Sequence, residues 1–225
     1  MKTDFRNRKA GLLDNNGEKA YTEAMKTSNK FTLTRIVIAP VFFILYFIPM
    51  WFDIKNGSVR GVLACILVPL LGFAEYTDYL DGHFARSHGE VSDFGKMFDP
   101  FADVFLHLST FTCFVFSGYM PPLLYVLILY REFSQNFLRM VAAKQGTAIA
   151  ARKGGKVKTV SYVVACFFSL AQVCLVHTGL AAAWGLDMGL LRNVGVAFYA
   201  ACTVLAYISF IDYLRHFGSI LKDVA

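Results

Sequence analysis

Residues 77–103 read TDYLDGHFARSHGEVSDFGKMFDPFAD, a polar island between long apolar runs. Drawn as a helix, Asp78, Asp81, Gly82, Ala85 and Arg86 fall at offsets of three, four, seven and eight, so they share one face. Gly95, Asp99 and Asp103 repeat every four residues and define a second face. The turn between them, near Ser87 to Ser92, is short enough to make the two helices antiparallel neighbours. The pattern therefore predicts that four carboxylates meet across one cleft.

Outward from this island the chain is strongly apolar. It has 225 residues, of which 56% are hydrophobic, and a mean hydropathy of +0.48, too high for an ordinary soluble domain. A spanning helix needs about 20 mostly apolar residues. Six stretches qualify, at roughly 33–53, 59–80, 98–119, 121–143, 158–180 and 193–214. Their apolar runs are continuous rather than alternating, which favours helices over a closed strand barrel. The expected fold is an all-α integral membrane protein, a bundle of six transmembrane helices over residues 31–225. Residues 1–30 are expected to form a cytoplasmic amphipathic or juxtamembrane arm.

No short apolar run with a cleavage site follows Lys2, Arg6, Arg8 and Lys9, so the first helix is expected to stay in the mature protein. With the N-terminus in the cytoplasm, most basic residues fall on that side, including Arg86, Lys96, Lys144 to Lys158 and Arg215. The opposite loops keep Lys55, Arg60 and Arg192. That asymmetry predicts a multi-pass protein with its carboxylate cleft at the cytoplasmic boundary. The formal charge of +6 then reads as topology and attraction to anionic membrane lipids, not as a nucleic-acid footprint. Cys65, Cys113, Cys166, Cys174 and Cys202 lie inside predicted spans at unrelated spacings and read as packing residues.

Four carboxylates in one cleft repel one another unless a cation holds them, and ionisable groups at a bilayer usually face a cavity and each other. Oxygen-only ligands suit magnesium, manganese or calcium rather than zinc. Two such ions could clamp a diphosphate and stabilise its leaving group. Glycines at 82 and 95 leave room for a ligand or for the facing helix, and Arg86 could neutralise phosphate charge. No internal duplication of the kind found in many transporters is visible. The single compact motif also differs from the two separated aspartate-rich motifs of membrane prenyltransferases.

The eight positions match D-x2-D-G-x2-A-R-x8-G-x3-D-x3-D, and on them the chain resembles the CDP-alcohol phosphotransferase family. The resemblance implies a six-helix membrane domain, usually a homodimer, in the inner membrane when the source is bacterial. It implies transfer of a phosphatidyl group from CDP-diacylglycerol to an alcohol, with release of CMP. Carried over by position, Asp78, Asp81, Asp99 and Asp103 would hold Mg2+ or Mn2+, as two ions. Asp103 would also be the base that takes the acceptor's proton. Asp81, Gly82, Ala85, Arg86 and Gly95 would line the CDP site.

Outside the motif, the similarity is to family members whose acceptor is sn-glycerol 3-phosphate. It runs through Asn29, Thr32 and Arg35, then Arg131-Glu132-Phe133 with Leu138-Arg139, and then Gly155-Lys156-Val157-Lys158-Thr159. Asn29, Thr32 and Arg35 are accessory candidates. Arg131 and Arg139 lie eight residues apart, close to two helical turns, so both can point into one pocket. With Lys156 and Lys158 they are the expected grip on the acceptor's phosphate. Glu132 or a lipid phosphate is the other partner a buried arginine could take. Val104 stands where such members commonly have lysine, which keeps serine or inositol phosphate open as acceptors. Glu75 is expected to be hydrogen-bonded within the bundle, and His107 to pack beside Asp103. His83 and His88 read as solvated.

Overall fold

The computed structural model describes residues 15–87, 93–144 and 153–217, with side chains described from Phe31 onward except at 79, 81–87, 93–96 and 153. Among them the chain is helical throughout. The elements are α1 (Asn15–Trp51), α2 (Gly57–Ser87), α3 (Asp93–Phe116), α4 (Pro122–Lys144), α5 (Lys153–His177), the single turn α6 (Leu180–Ala183) and α7 (Met188–Phe217).

Local chemistry explains the breaks between helices. After α1 the chain turns through Asp53, at φ 46°. Asn56 then caps α2, its side-chain oxygen accepting from the backbone N–H of Ser58 at 3.0 Å and of Val59 at 3.3 Å. At the end of α3, Gly118 takes the left-handed conformation with φ 72°. There the N–H groups of Tyr119 and Met120 both return to the Phe114 carbonyl, at 2.9 and 3.2 Å. Pro122 opens α4, where a missing N–H costs nothing. Asp187 caps α7 by accepting from Gly189 at 2.8 Å and Leu190 at 3.0 Å.

The six long helices match the six expected stretches in place and order. Among the described residues, four segments are long and apolar enough to cross a bilayer: Phe31–Trp51, Gly57–Asp78, Gly154–His177 and Met188–Phe217. The other two are interrupted by ionisable side chains, Asp99, Asp103 and His107 on α3 and Arg131, Glu132 and Arg139 on α4. α1 runs without a break through residue 30, so the helical part of the arm and the first span form one 37-residue helix. Residues 1–14 of the expected arm lie outside the described residues.

Burial is inverted relative to a soluble bundle. Leu33, Val37, Val62, Phe73, Phe133, Val160, Val204 and Ile208 present large apolar side chains outward. Thr32, Arg35, His107, Arg131, Glu132, Lys158 and Gln172 are buried. An apolar exterior over a polar interior is what hydrocarbon solvent demands. Between the polar sites lies a shared apolar core that includes Phe42, Leu71, Phe111, Phe114, Leu170 and Tyr199. All five cysteines are free, and Cys113, Cys166 and Cys202 are buried in the bundle.

The motif helices α2 and α3 touch, with His107 Nε2 of α3 lying 3.3 Å from Glu75 Oε1 of α2, but most of their packing is against a third helix. α1 packs against both of them, and Ile38 and Ala39 of α1 meet Ala74 of α2 and Leu106 of α3 in one cluster. Small side chains at 39 and 74 let three backbones approach closely. α5 then packs on α7 and α2, while α4 packs on α3 and α7.

Candidate active site

Because α1 packs against both motif helices, its polar residues enter the cleft. Arg35 is fully buried, and one of its terminal nitrogens donates to both Asp78 of α2 and Asp103 of α3. The other lies 3.5 Å from Asp99, whose same oxygen also accepts from the Thr32 hydroxyl. Three motif carboxylates from two helices thus converge on one guanidinium. Thr32 and Arg35, accessory candidates from the sequence, lie at the centre of this cluster. Asp81, Gly82, Ala85 and Arg86 lie on the last turns of α2, Gly95 on the first turn of α3, and Asn29 on α1. Their side chains are outside the described residues.

The donor set fits a hard divalent cation. Asp78, Asp99 and Asp103 offer only carboxylate oxygens, already gathered around one positive centre. Their side chains are 42%, 38% and 25% exposed while Arg35 is 0% exposed, so the cluster opens to solvent on the carboxylate side. Among the described residues no group of three or more His, Cys, Asp or Glu is spaced as a finished ion site.

Behind Asp103 the polar contacts continue inward. His107 Nδ1 lies 2.8 Å from the Asp103 carbonyl oxygen. Its Nε2 is 3.3 Å from Glu75 Oε1, without hydrogen-bond alignment. The ring of His107 meets that of Tyr162 edge-on at 5.7 Å. This agrees with the packing role expected of His107 and places Glu75 inside the bundle.

Tyr162 leads into a second charged cluster, built around Glu132. Glu132 Oε1 accepts from Lys158 Nζ at 2.8 Å and from the Tyr162 hydroxyl at 2.9 Å. Its other oxygen pairs with Arg131 at 2.9 Å. Arg131 further donates through Nε to the Ala206 carbonyl at 3.0 Å and through Nη2 to Ser209 Oγ at 3.3 Å. All three Arg131 nitrogens are therefore engaged, tying α4 to α7, while Lys158 ties α5 to α4.

The four cations expected to grip an acceptor phosphate divide accordingly. Arg131 and Lys158 are buried and held by Glu132. Arg139 and Lys156 are not: Lys156 is exposed at the start of α5, and Arg139 Nε is buried without a hydrogen-bond partner. The start of α5 touches the same region, since a Cβ added at Gly154 would lie 3.5 Å from Ser209 Oγ. Sequence reasoning missed Tyr162, Ser209, Gln135 and Tyr213. Gln135 carried a signal, standing four residues from both Arg131 and Arg139. The α7 residues carried none.

The fold and the two charge clusters define a helical membrane protein with a carboxylate-lined cleft beside a buried basic region. The family model described as CDP-alcohol phosphatidyltransferase matches residues 25–205, more than half of the chain, and the chain belongs to that family. It is 41% identical over 203 residues to the CDP-diacylglycerol–glycerol-3-phosphate 3-phosphatidyltransferase of Treponema pallidum, covering 89% of this chain and 93% of that one. The protein of the same description from Bacillus subtilis is 34% identical over 61% of this chain and 72% of its own. A Mycobacterium tuberculosis protein described as a probable phosphatidylglycerophosphate synthase is 30% identical over 88% of this chain and 86% of its own.

Proposed function

We propose that this protein transfers the phosphatidyl group of CDP-diacylglycerol to sn-glycerol 3-phosphate, making phosphatidylglycerophosphate and CMP in the inner membrane. The observation that carries the reaction class is the convergence of Asp78, Asp99 and Asp103 on one buried point. The acceptor rests on the relatives, above all the one aligned over most of both chains.

In this reading Asp78, Asp81, Asp99 and Asp103 hold Mg2+ or Mn2+, two ions in all, at a cleft on the cytoplasmic side. When bound, the ions would neutralise the diphosphate and the departing CMP. Asp103 takes the proton from the attacking hydroxyl of glycerol 3-phosphate. That oxygen forms a bond to the phosphorus carrying diacylglycerol, and the bond from this phosphorus to the bridging oxygen breaks. The bridging oxygen leaves with CMP. Gly82, Ala85, Arg86 and Gly95 line the CDP site. Arg139 and Lys156 take the acceptor's phosphate directly, while Arg131 and Lys158, braced by Glu132, fix the helices that present them. The active form is a homodimer.

The test is CMP release by the purified full-length chain in nanodiscs, with CDP-diacylglycerol, Mg2+ or Mn2+, and a panel of acceptors. Glycerol 3-phosphate alone is expected to support turnover. Exclusive use of serine or inositol phosphate would overturn the acceptor, and no CMP with any acceptor would overturn the transferase.

A further inference from the structure

Arg131, Gln135 and Arg139 stand at i, i+4 and i+8 on α4 and form one stripe, on the side of the helix that packs against α7. Tyr213 of α7 lies beside Gln135 and Arg139. Gln135 is 3% exposed and Tyr213 4% exposed. Among the described residues, the amide nitrogen and oxygen of Gln135, the Tyr213 hydroxyl and Arg139 Nε are buried without an aligned hydrogen bond, although the Tyr213 hydroxyl lies close enough to Gln135 and Arg139 to interact with both. Polar side chains at such depth are costly to keep unpaired, and ionisable groups inside a membrane protein usually serve a functional site.

The unmet atoms specify the ligand's chemistry. Arg139 Nε offers only a proton and suits a phosphate oxygen. Gln135 offers a donor and an acceptor, so turning its amide over changes nothing. A phosphate would meet the Gln135 nitrogen and repel its oxygen. An alcohol hydroxyl, donor and acceptor at once, satisfies both ends, as it does the Tyr213 hydroxyl. We propose that Gln135, assisted by Tyr213, binds the non-reacting hydroxyl of a polyol phosphate acceptor, the 2-hydroxyl of glycerol 3-phosphate, next to the phosphate held at Arg139. This rests on the acceptor reading above and makes Gln135 a specificity determinant.

A second buried glutamine supplies the control. Gln172 of α5 is 2% exposed and also unpartnered. It packs against Gly195 of α7, where an added Cβ would meet its nitrogen at 3.2 Å and the Phe168 ring at 3.5 Å. Its own helix sets Phe168 and Val176 one turn to either side of it, where Gln135 has Arg131 and Arg139, so an unpaired glutamine alone does not make a site. The stripe of arginines does.

The experiment compares kcat/KM of the full chain in nanodiscs for glycerol 3-phosphate and for 3-hydroxypropyl phosphate, which lacks only the 2-hydroxyl. The unsubstituted protein is expected to favour glycerol 3-phosphate by on the order of 100-fold, because the analogue leaves buried polar groups unpaired. Gln135→Leu should reduce that preference to within about threefold by lowering use of glycerol 3-phosphate alone, and Gln135→Met should do the same with an unbranched chain. Tyr213→Phe should reduce it by about tenfold, and Gln172→Leu should leave it intact. Equal losses for both acceptors in Gln135→Leu and Gln135→Met, or an unchanged ratio, would overturn the proposal. So would an unsubstituted protein that uses both acceptors equally. An unsubstituted protein inactive with glycerol 3-phosphate, yet active with another acceptor, would instead overturn the acceptor reading beneath it.

Discussion

The two charged clusters are mirror images. Between α1, α2 and α3, one buried cation, Arg35, gathers three carboxylates. Between α4, α5 and α7, one buried carboxylate, Glu132, gathers two cations and a tyrosine. In each, a single opposite charge deep in the bundle organises the helices that carry the working groups. The difference lies in what stays reachable. The carboxylates remain part-exposed, whereas Arg131, Lys158 and Glu132 are all at least nine-tenths buried. In the proposed function the first cluster takes up cations through these reachable carboxylates. The second is a brace, and the proposal assigns anion binding to its neighbours Arg139 and Lys156.

The largest expected effect falls on the open cluster. Asp103→Asn keeps the side-chain volume and leaves Arg35 its contacts with Asp78 and Asp99, so the protein should still fold. Removing the proton acceptor is expected to slow CMP release by up to about 10⁴-fold. Full activity with an unchanged unfolding temperature would take Asp103 out of the chemistry and undo the contrast between the clusters.

Next in size, the two organisers respond differently to the same insult. Removing one partner of a buried ion pair costs about 3–5 kcal/mol, because the remaining charge is left uncompensated. Glu132→Gln strands Arg131 and Lys158, and the loss should be indifferent to magnesium. Arg35→Gln strands three carboxylates, which a divalent ion could neutralise, so its loss should shrink when magnesium is added. Thermal unfolding in detergent with and without magnesium measures both. Equal responses to the ion would break the mirror relation.

These pairings show how far the sequence could be read. Hydropathy placed all six long helices, because continuous apolar runs leave few other structures possible in lipid. The spacing of Asp78, Asp99 and Asp103 announced the cleft, because helical periodicity is a local property. The packing of α1 on both motif helices was not legible. Thr32 and Arg35 lie more than forty residues from Asp78, and nothing in local spacing says which further helix packs against a given pair. The same reason hid Ser209 and Tyr213, which reach α4 only through the packing of α7. Arg131 and Arg139 were legible as a pair. That Arg131 would be consumed by Glu132, Ala206 and Ser209 required the fold.

A smaller effect separates Arg139 from the brace. Arg139→Ala should raise KM for glycerol 3-phosphate by about 10- to 100-fold while changing kcat little, since it removes a charge-assisted contact made to bound acceptor throughout. The unfolding temperature should stay close to that of the unsubstituted protein, unlike Glu132→Gln. A stability loss without a change in KM would move Arg139 into the brace and leave Lys156 as the described cation at the acceptor's phosphate.

The smallest effect tests whether the clusters communicate. Tyr162 donates to Glu132 at 2.9 Å, while its ring meets His107, whose Nδ1 lies 2.8 Å from the Asp103 carbonyl oxygen. Tyr162→Phe keeps the ring contact and deletes one hydrogen bond among the several that Glu132 accepts. The cost should be about 1 kcal/mol of stability, with kcat for CMP release changed by less than about threefold, because Lys158 and Arg131 still hold Glu132 and the ring still holds His107. Tyr162→Ala removes the ring as well. It should lower kcat beyond the hydroxyl's share by loosening the support behind Asp103. If the two variants reduce kcat equally, the link between the clusters runs through the hydroxyl and Glu132 rather than through ring packing on His107.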